Sequence, residues 1–406
     1  MTESELDSYR LVRLPGYLIL SRGSEIVISF DSEGRLFHAF FFGRTCRIGL
    51  DGKAVEVHGG GPDSVPHATP LSPAERDAVF DRVREFLREI RSGRPPQFFK
   101  EGELFIEGED ANHELDRMEA ALRDDSLERQ WRQFKNVYGS VPILPPDCYG
   151  SLLIQATTGC SYQKCLFCAL YENRPFQIRD PKDFEAHVTD ALRFQGRALA
   201  RWRSIFLGDA NALVVPQDKL VELLSILQTT LSKFEDGDLA ETLYAFTDAG
   251  RPIRTLDEYK GLHERGLRRV YIGLETGFWP LREWLKKSGN EATLTEKIDR
   301  LKNAGIGVGL IIIAGVGGKT LAEQHIRETV SVIRSYPLDA GDIIYVSPLR
   351  EQATTAYPEW VHEKQIQPLS EDEVWNQTRI LMSQLAQGWK TKPPKVAPYD
   401  ISRFVY

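Results

Sequence analysis

The chain has 406 residues, 42% of them hydrophobic and 27% charged, with a formal net charge of −7 at neutral pH. That length supports one large domain plus a smaller one, and the balance is that of a globular protein. The acidic surplus argues against a general nucleic-acid binder, which presents a basic surface.

The opening MTESELDSYRLVRLPG has no basic start followed by an apolar run, so it does not read as a signal peptide. YLILSR (17–22), EIVISFD (25–31) and RLFHAFF (35–41) are rich in β-formers and separated by turn signals, which predicts a small antiparallel meander. A glycine linker, Gly59 to Gly61, follows. Ser72, Pro73 and Glu75 then form a capping box at the start of a helix. Val79, Phe80, Val83, Phe86, Leu87 and Ile90 line one stripe of that helix, and Gly93 stops it. The Pro-rich VPILPPD closes this half.

From residue 150 the pattern becomes regular. Apolar runs at 152–157, 204–209, 243–248, 269–275, 308–314 and 342–348 alternate with helical segments near 182–198, 217–233, 255–265, 292–304 and 321–335. Continuous apolar strands between helices predict a parallel sheet buried on both faces. The fold class is α/β, a partial (β/α)6 TIM-like barrel with a small N-terminal α+β domain. The expected division is 1–145 for the accessory domain, 146–350 for the barrel, and 351–406 for a C-terminal helix near 371–386 and an extended tail. Tyr399, Phe404 and Tyr406 give that tail a surface to pack with. The most apolar stretch, Gly307 to Gly318, is too short and too glycine-rich to span a bilayer, so a cytoplasmic protein without membrane contact is expected.

Cys160, Cys165 and Cys168 stand in TTGCSYQKCLFCALY with C-x4-C-x2-C spacing, directly after the first barrel strand. Ligand sites of such barrels lie at the C-terminal ends of the strands. Three thiolates can hold one corner of a [4Fe–4S] cube and leave one iron open. A structural zinc competes with this reading and needs a fourth ligand, for which Cys148 and His187 are the candidates. A cluster used only for electron transfer also wants four cysteines. The zinc or electron-transfer alternative makes the chain a metal-stabilised binding or scaffold protein. Cys46 and Cys148 read as plain buried cysteines.

The cysteine loop after strand one of a six-unit barrel resembles the radical S-adenosylmethionine (radical SAM) superfamily over about 150–350. The commonest family spacing is C-x3-C-x2-C, and this chain has one residue more between the first two cysteines. The resemblance implies a [4Fe–4S] cluster on Cys160, Cys165 and Cys168. It also implies S-adenosyl-L-methionine on the open iron, and reductive cleavage to a 5′-deoxyadenosyl radical that abstracts hydrogen from a substrate. It places Phe167 near the adenine. At the ends of the following strands, Gly208 and Asp209, Thr247, and Glu275 in Gly273-Leu274-Glu275-Thr276-Gly277 become candidate cofactor contacts, with Lys287 near the SAM carboxylate. For Asp209 a turn or helix-cap role is the competing reading, and for Lys287 a solvated helix end. Expected partners are a small-molecule or peptide substrate and an electron donor of the flavodoxin or ferredoxin type, with no nucleic acid. The run AGVGGKT ends like a phosphate-binding loop but has Ile313 where the first glycine is required, so a nucleotide-triphosphate site is not expected there.

Overall fold

The computed structural model describes residues 9–59, 67–93, 97–100, 103–105, 108–234, 239, 241–250, 252–350, 355–390 and 392–406. Gly60 and Gly61 of the glycine linker lie outside the described residues. The chain forms two compact units, one of residues 1–143, 189–203 and 402–406, the other of 144–188 and 204–401.

The first unit is built on a nine-stranded sheet. Its strands are β1 (Tyr9–Leu14), β2 (Tyr17–Arg22), β3 (Ile26–Asp31), β4 (Leu36–Phe41), β5 (Arg44–Ile48), β6 (Ala54–His58), β7 (His67–Pro70), β8 (Gln97–Lys100) and β9 (Glu103–Phe105). β1 to β7 run as an antiparallel meander, and β8 adds to β1 in parallel. The expected three strands are its centre. The flanking strands carry too few apolar residues to announce themselves: β1 buries only Leu11. Helix α1 (Pro73–Ser92) starts on the Ser72–Glu75 capping box and buries Phe80, Val83, Phe86, Leu87 and Ile90. These pack with Leu11, Leu20, Ile28 and Phe30 of the sheet and with Leu115 and Met118 of α2 (Gly108–Ala121). Helix α3 (Asp124–Tyr138) completes the layer. Phe404 and Tyr406 are buried in this unit, where Tyr406 stacks on Trp202 at 5.5 Å.

The second unit is a seven-stranded sheet, all parallel and in chain order. β10 (Ser151–Gln155) leads into a two-residue ladder, β11 (Thr157–Thr158) with β12 (Gln177–Ile178), and then helix α4 (Pro181–Gln195). β13 (Ser204–Gly208), α5 (Gln217–Ser232), β14 (Leu243–Thr247), α6 (Leu256–Glu264) and β15 (Leu267–Glu275) follow. Then come the short α7 (Trp279–Trp284), α8 (Glu291–Asn303), β16 (Gly307–Ala314), α9 (Gly318–Ser335), β17 (Ile343–Pro348), α10 (Tyr357–Glu363), α11 (Glu371–Leu385) and β18 (Lys395–Pro398). β10, β13 and β17 are buried at every position, which explains their unbroken apolar sequences.

Six strands fall where the sequence places them, and β18 is a seventh, inside the stretch read as an extended tail. Its prolines are compatible with an edge position, because an edge strand needs only one side of its backbone for the ladder. Lys395 N–H to Asp342 O (3.1 Å) and Tyr399 N–H to Val346 O (3.0 Å) secure it to β17. No helix among the described residues is long and apolar enough to cross a membrane. Parallel strands bring all seven C-terminal ends to one rim.

Candidate functional site

The cysteine loop leaves the rim end of β10 and returns through the β11–β12 ladder, where Thr157 pairs with Ile178 and Thr158 with Gln177. Asp209, just past β13, fastens it. Its carboxylate accepts from Gly159 N–H (3.2 Å), Arg174 Nη2 (2.8 Å) and Gln155 Nε2 (3.2 Å). Its own N–H donates to Thr157 Oγ1 at 3.1 Å. Asp209 is therefore occupied by the loop that carries the cysteines. Burial pushes its carboxyl above the ordinary range, and Arg174 opposes that shift.

Cys160 and Cys165 are half-buried and Cys168 is exposed, and all three are free thiols. Burial pushes the Cys165 thiol up to about 11; Lys287 pulls it down, while Cys168, Glu275 and Cys160 push it further up. The three thiols thus lie within electrostatic reach of one another and of Lys287. Among the described residues no three His, Cys, Asp or Glu side chains converge on a single ion. The two candidate fourth ligands for zinc are engaged elsewhere. Cys148 precedes β10, at the far end of that strand, with its Sγ 3.2 Å from Tyr271 Oη. His187 Nε2 accepts from Gln155 N–H at 2.9 Å.

Glu275 ends β15 in the left-handed region, at φ 64°, a conformation that non-glycine residues hold only when their surroundings impose it. Its Oε1 accepts from Lys287 Nζ at 2.6 Å, with side-chain exposures of 6% and 16%. Gly273 makes that pair possible: a methyl group there would sit 2.1 Å from Glu275 Oε1 and 2.7 Å from Lys287 Nζ. Burial alone lowers the Lys287 ammonium, but Glu275 and Cys165 outweigh it and hold the group above its ordinary range. Lys287 Nζ lies 5.8 Å from the centre of the Phe167 ring. Phe167 itself packs beside Leu166, Leu281 and Leu285. Leu166 N–H donates to Leu285 O at 3.1 Å, which ties the cysteine loop to the end of α7.

Thr247 is buried at the end of β14. The next residue, Asp248, accepts from Asn211 Nδ2 (2.9 Å) and Gly250 N–H (2.7 Å). Helix α8 claims the carbonyls of this turn: Lys297 Nζ donates to Asp248 O (2.7 Å) and Gly250 O (2.6 Å), and Thr293 Oγ1 donates to Ala249 O (3.0 Å). Gly208 leaves no room for a side chain, since a methyl group there would meet Leu153 Cδ1 at 2.6 Å.

The structure brings Cys160, Cys165, Phe167, Glu275 and Lys287 together, and places Gly208, Asp209 and Thr247 on neighbouring strand ends. Four further residues are not singled out by the sequence. Arg174 and Arg282 hold the loops, and Asn211 and Ser288 keep a buried atom, Oδ1 and Oγ, with no protein partner. The last two are neighbours through the Asp248 turn, as a methyl group on Gly250 would lie 3.5 Å from Ser288 Cβ. Arg282 sits in FWPLREWLKKSG, where nothing distinguishes it from a solvated helix arginine. Buried polar atoms without a protein partner are satisfied by a water, an ion or a ligand. With the tight Glu275–Lys287 cradle and three thiols, they fit an iron–sulfur cluster and a polar cofactor bound beside it.

The glycine-rich turn after β16 has its amides taken by the protein. Gly315 N–H donates to Gln377 Oε1 (2.6 Å), Gly317 N–H to Tyr357 Oη (3.3 Å) and Lys319 N–H to Gln367 O (2.8 Å). A phosphate would have to displace all three.

A sequence profile described as the radical SAM superfamily matches residues 154–332. No curated protein sequence matches the chain. Among solved structures, the radical S-adenosylmethionine methyltransferase TsrM from Kitasatospora setae aligns at 16% identity over 53% of this chain and 37% of its own, with TM-score 0.41. Coproporphyrinogen III oxidase from Escherichia coli, a radical SAM enzyme, aligns at 13% identity over 63% of this chain and 56% of its own, with TM-score 0.42. The chain thus spans less than two thirds of either.

Proposed function

From the match of residues 154–332 to the radical SAM superfamily profile, we propose that the chain is an enzyme holding a [4Fe–4S] cluster on Cys160, Cys165 and Cys168 and S-adenosyl-L-methionine beside it. When bound, these cofactors supply reductive cleavage of the sulfonium C–S bond to methionine and a 5′-deoxyadenosyl radical, which takes a hydrogen atom from the substrate. The observation that carries this reading is the meeting of the cysteine loop with the buried Glu275–Lys287 pair at the strand ends.

Each residue has a part that follows from its chemistry. The three thiolates would hold the cluster and leave one iron open to a cofactor. Lys287 supplies charge for a carboxylate and Glu275 for an ammonium. Phe167, beside Lys287, offers an apolar face to the adenine. Asn211 Oδ1 accepts and Ser288 Oγ donates or accepts, which suits hydroxyl groups. Asp209 and Arg174 set the path of the cysteine loop, and Gly208 and Thr247 line the adjoining strand ends. A pocket of about 300 Å³ at the ends of β16 and β17, lined by Gly315, Leu349, Arg350, Tyr357, Val374 and Trp375, is the substrate side of this proposal. Its aromatic walls, with an Arg350 guanidinium paired to Asp400 (2.6 Å) and Glu371 (3.1 Å), suit a small organic molecule or one residue of a peptide. The electron comes from a carrier of the flavodoxin or ferredoxin type.

The test is an anaerobic assay of protein reconstituted with iron and sulfide, given SAM and dithionite without substrate. Formation of 5′-deoxyadenosine by the wild type and only background from Cys160→Ala is the expected result. Equal amounts from both, or none from a wild type that has assembled its cluster and binds SAM, would refute it.

A further inference from the structure

Among the described residues Arg282 is the largest fully buried side chain, at 1% exposure, and no carboxylate is among its hydrogen-bond partners. Its guanidinium donates only to main-chain carbonyls: Nε to Leu274 O (3.1 Å), Nη1 to Gly289 O (2.7 Å) and Nη2 to Ser288 O (2.6 Å). Burying a cation without a countercharge is costly. The guanidinium's donors bridge three carbonyls of two segments, and the charge that comes with them acts on whatever binds nearby.

Arg282 stands on α7, whose end is joined to the cysteine loop by the Leu166–Leu285 hydrogen bond of 3.1 Å. Burial lowers the guanidinium's pKa; Glu275 and then the Cys165 thiol act against that shift, so the arginine and the thiol sense each other's charge. The other charges beside Cys165 are Lys287 and Glu275, which pair with one another at 2.6 Å in the ligand-free chain. Arg282 feels Glu275 and, more weakly, Asp248, but hydrogen-bonds to neither. A cube with three thiolates becomes more negative by one unit when it takes up an electron. A fixed cation in a dry place beside it stabilises the reduced form, and net local charge is one of the levers that set cluster potentials.

We infer that Arg282 is a positioning and tuning residue whose buried, carbonyl-held charge raises the reduction potential of the cluster bound by Cys160, Cys165 and Cys168. The inference rests on the cluster reading above and assigns Arg282 no contact with substrate. It predicts opposite effects for opposite charges: losing Arg282 makes the cluster harder to reduce, and losing the negative charge of Glu275 makes it easier.

The experiment is an anaerobic potentiometric titration of the reconstituted full chain without SAM, read by the electron paramagnetic resonance of the reduced cluster, for the wild type, Arg282→Lys, Arg282→Gln and Glu275→Gln. At the potential where half the wild-type cluster is reduced, Arg282→Gln is expected to show at least a tenfold lower ratio of reduced to oxidised cluster, about 59 mV for one electron. Arg282→Lys keeps the charge and stays near the wild type, and Glu275→Gln moves the other way. An unchanged midpoint in Arg282→Gln, or an equal shift in Arg282→Lys, overturns the inference. Where Arg282→Gln assembles no cluster, Glu275→Gln decides, and a midpoint that fails to rise overturns it. A wild type that takes up no cluster defeats the functional proposal instead, which keeps the two failures apart.

Discussion

The two ends of the barrel strands are both polar, yet they are finished differently. At the N-terminal end Asp147 accepts from Tyr271 Oη (2.6 Å), Tyr345 Oη (2.7 Å) and Arg269 Nη1 (2.7 Å), and Cys148 Sγ lies 3.2 Å from Tyr271 Oη. Apart from Arg269 Nε, this network is closed on itself. At the C-terminal rim, Asn211 Oδ1 and Ser288 Oγ have no partner, Glu275 is bent into a left-handed backbone, and Arg282 carries a charge with no carboxylate at hydrogen-bond distance. In the proposed reading, the closed network stabilises the fold and the open one receives a ligand. Barrels of this kind divide labour the same way, with stability at the bottom and chemistry at the top.

The sharpest way to break that contrast is to separate the rim's ion pair. Lys287→Met leaves Glu275 buried and unpaired, and breaking a buried pair from one side costs about 3–5 kcal/mol. Urea unfolding should register that loss, and Glu275→Gln/Lys287→Met should be less destabilised than the sum of the single changes. Weak SAM binding in the double variant despite recovered stability would mark the pair as a ligand site; full binding would make it structural only.

Asp147→Asn probes the opposite end. Weakened hydrogen bonds in the Tyr271–Tyr345–Arg269 network should cost about 1–3 kcal/mol. Iron content and SAM affinity should stay at wild-type levels. Loss of cluster in a folded Asp147→Asn protein would erase the distinction between the two ends.

The smallest effect is one of pH. Burial lowers the Lys297 ammonium from 10.5 to about 8. Between those values the unfolded chain binds the proton more readily than the folded one, so this group makes stability rise with pH from about 8 towards 10.5. Below about 8 the ammonium is charged in both states and its full burial cost is present. Lys297→Met should remove that part of the slope, so that the urea midpoint of the wild type gains on the variant between the two ends of the window. Parallel curves would mean that folding does not lower the Lys297 pKa.

Much of this was legible in the sequence. The six apolar runs mark their strands because both faces of a parallel sheet are buried, and the Ser72–Glu75 box marks the start of α1. The cysteine loop declares itself by spacing, and Glu275 by standing as a carboxylate at the end of an apolar strand. β18 was hidden because its few residues lie among prolines, and β1 because it buries a single leucine. Arg282 and Lys297 were hidden for another reason: a basic residue on a helix looks solvated until its carbonyl partners are known, and those lie on other elements or in loops. Asp209 could be placed at the rim, but not its commitment to Gly159 and Arg174. That depends on a loop closing over it.

The most direct test of the central claim is the electron paramagnetic resonance spectrum of the reduced, reconstituted protein before and after SAM is added. A [4Fe–4S] signal that changes with SAM, and that Cys160→Ala, Cys165→Ala and Cys168→Ala each abolish, is the predicted result. A signal indifferent to SAM, or stoichiometric zinc with no cluster in protein purified and reconstituted without oxygen, would contradict it.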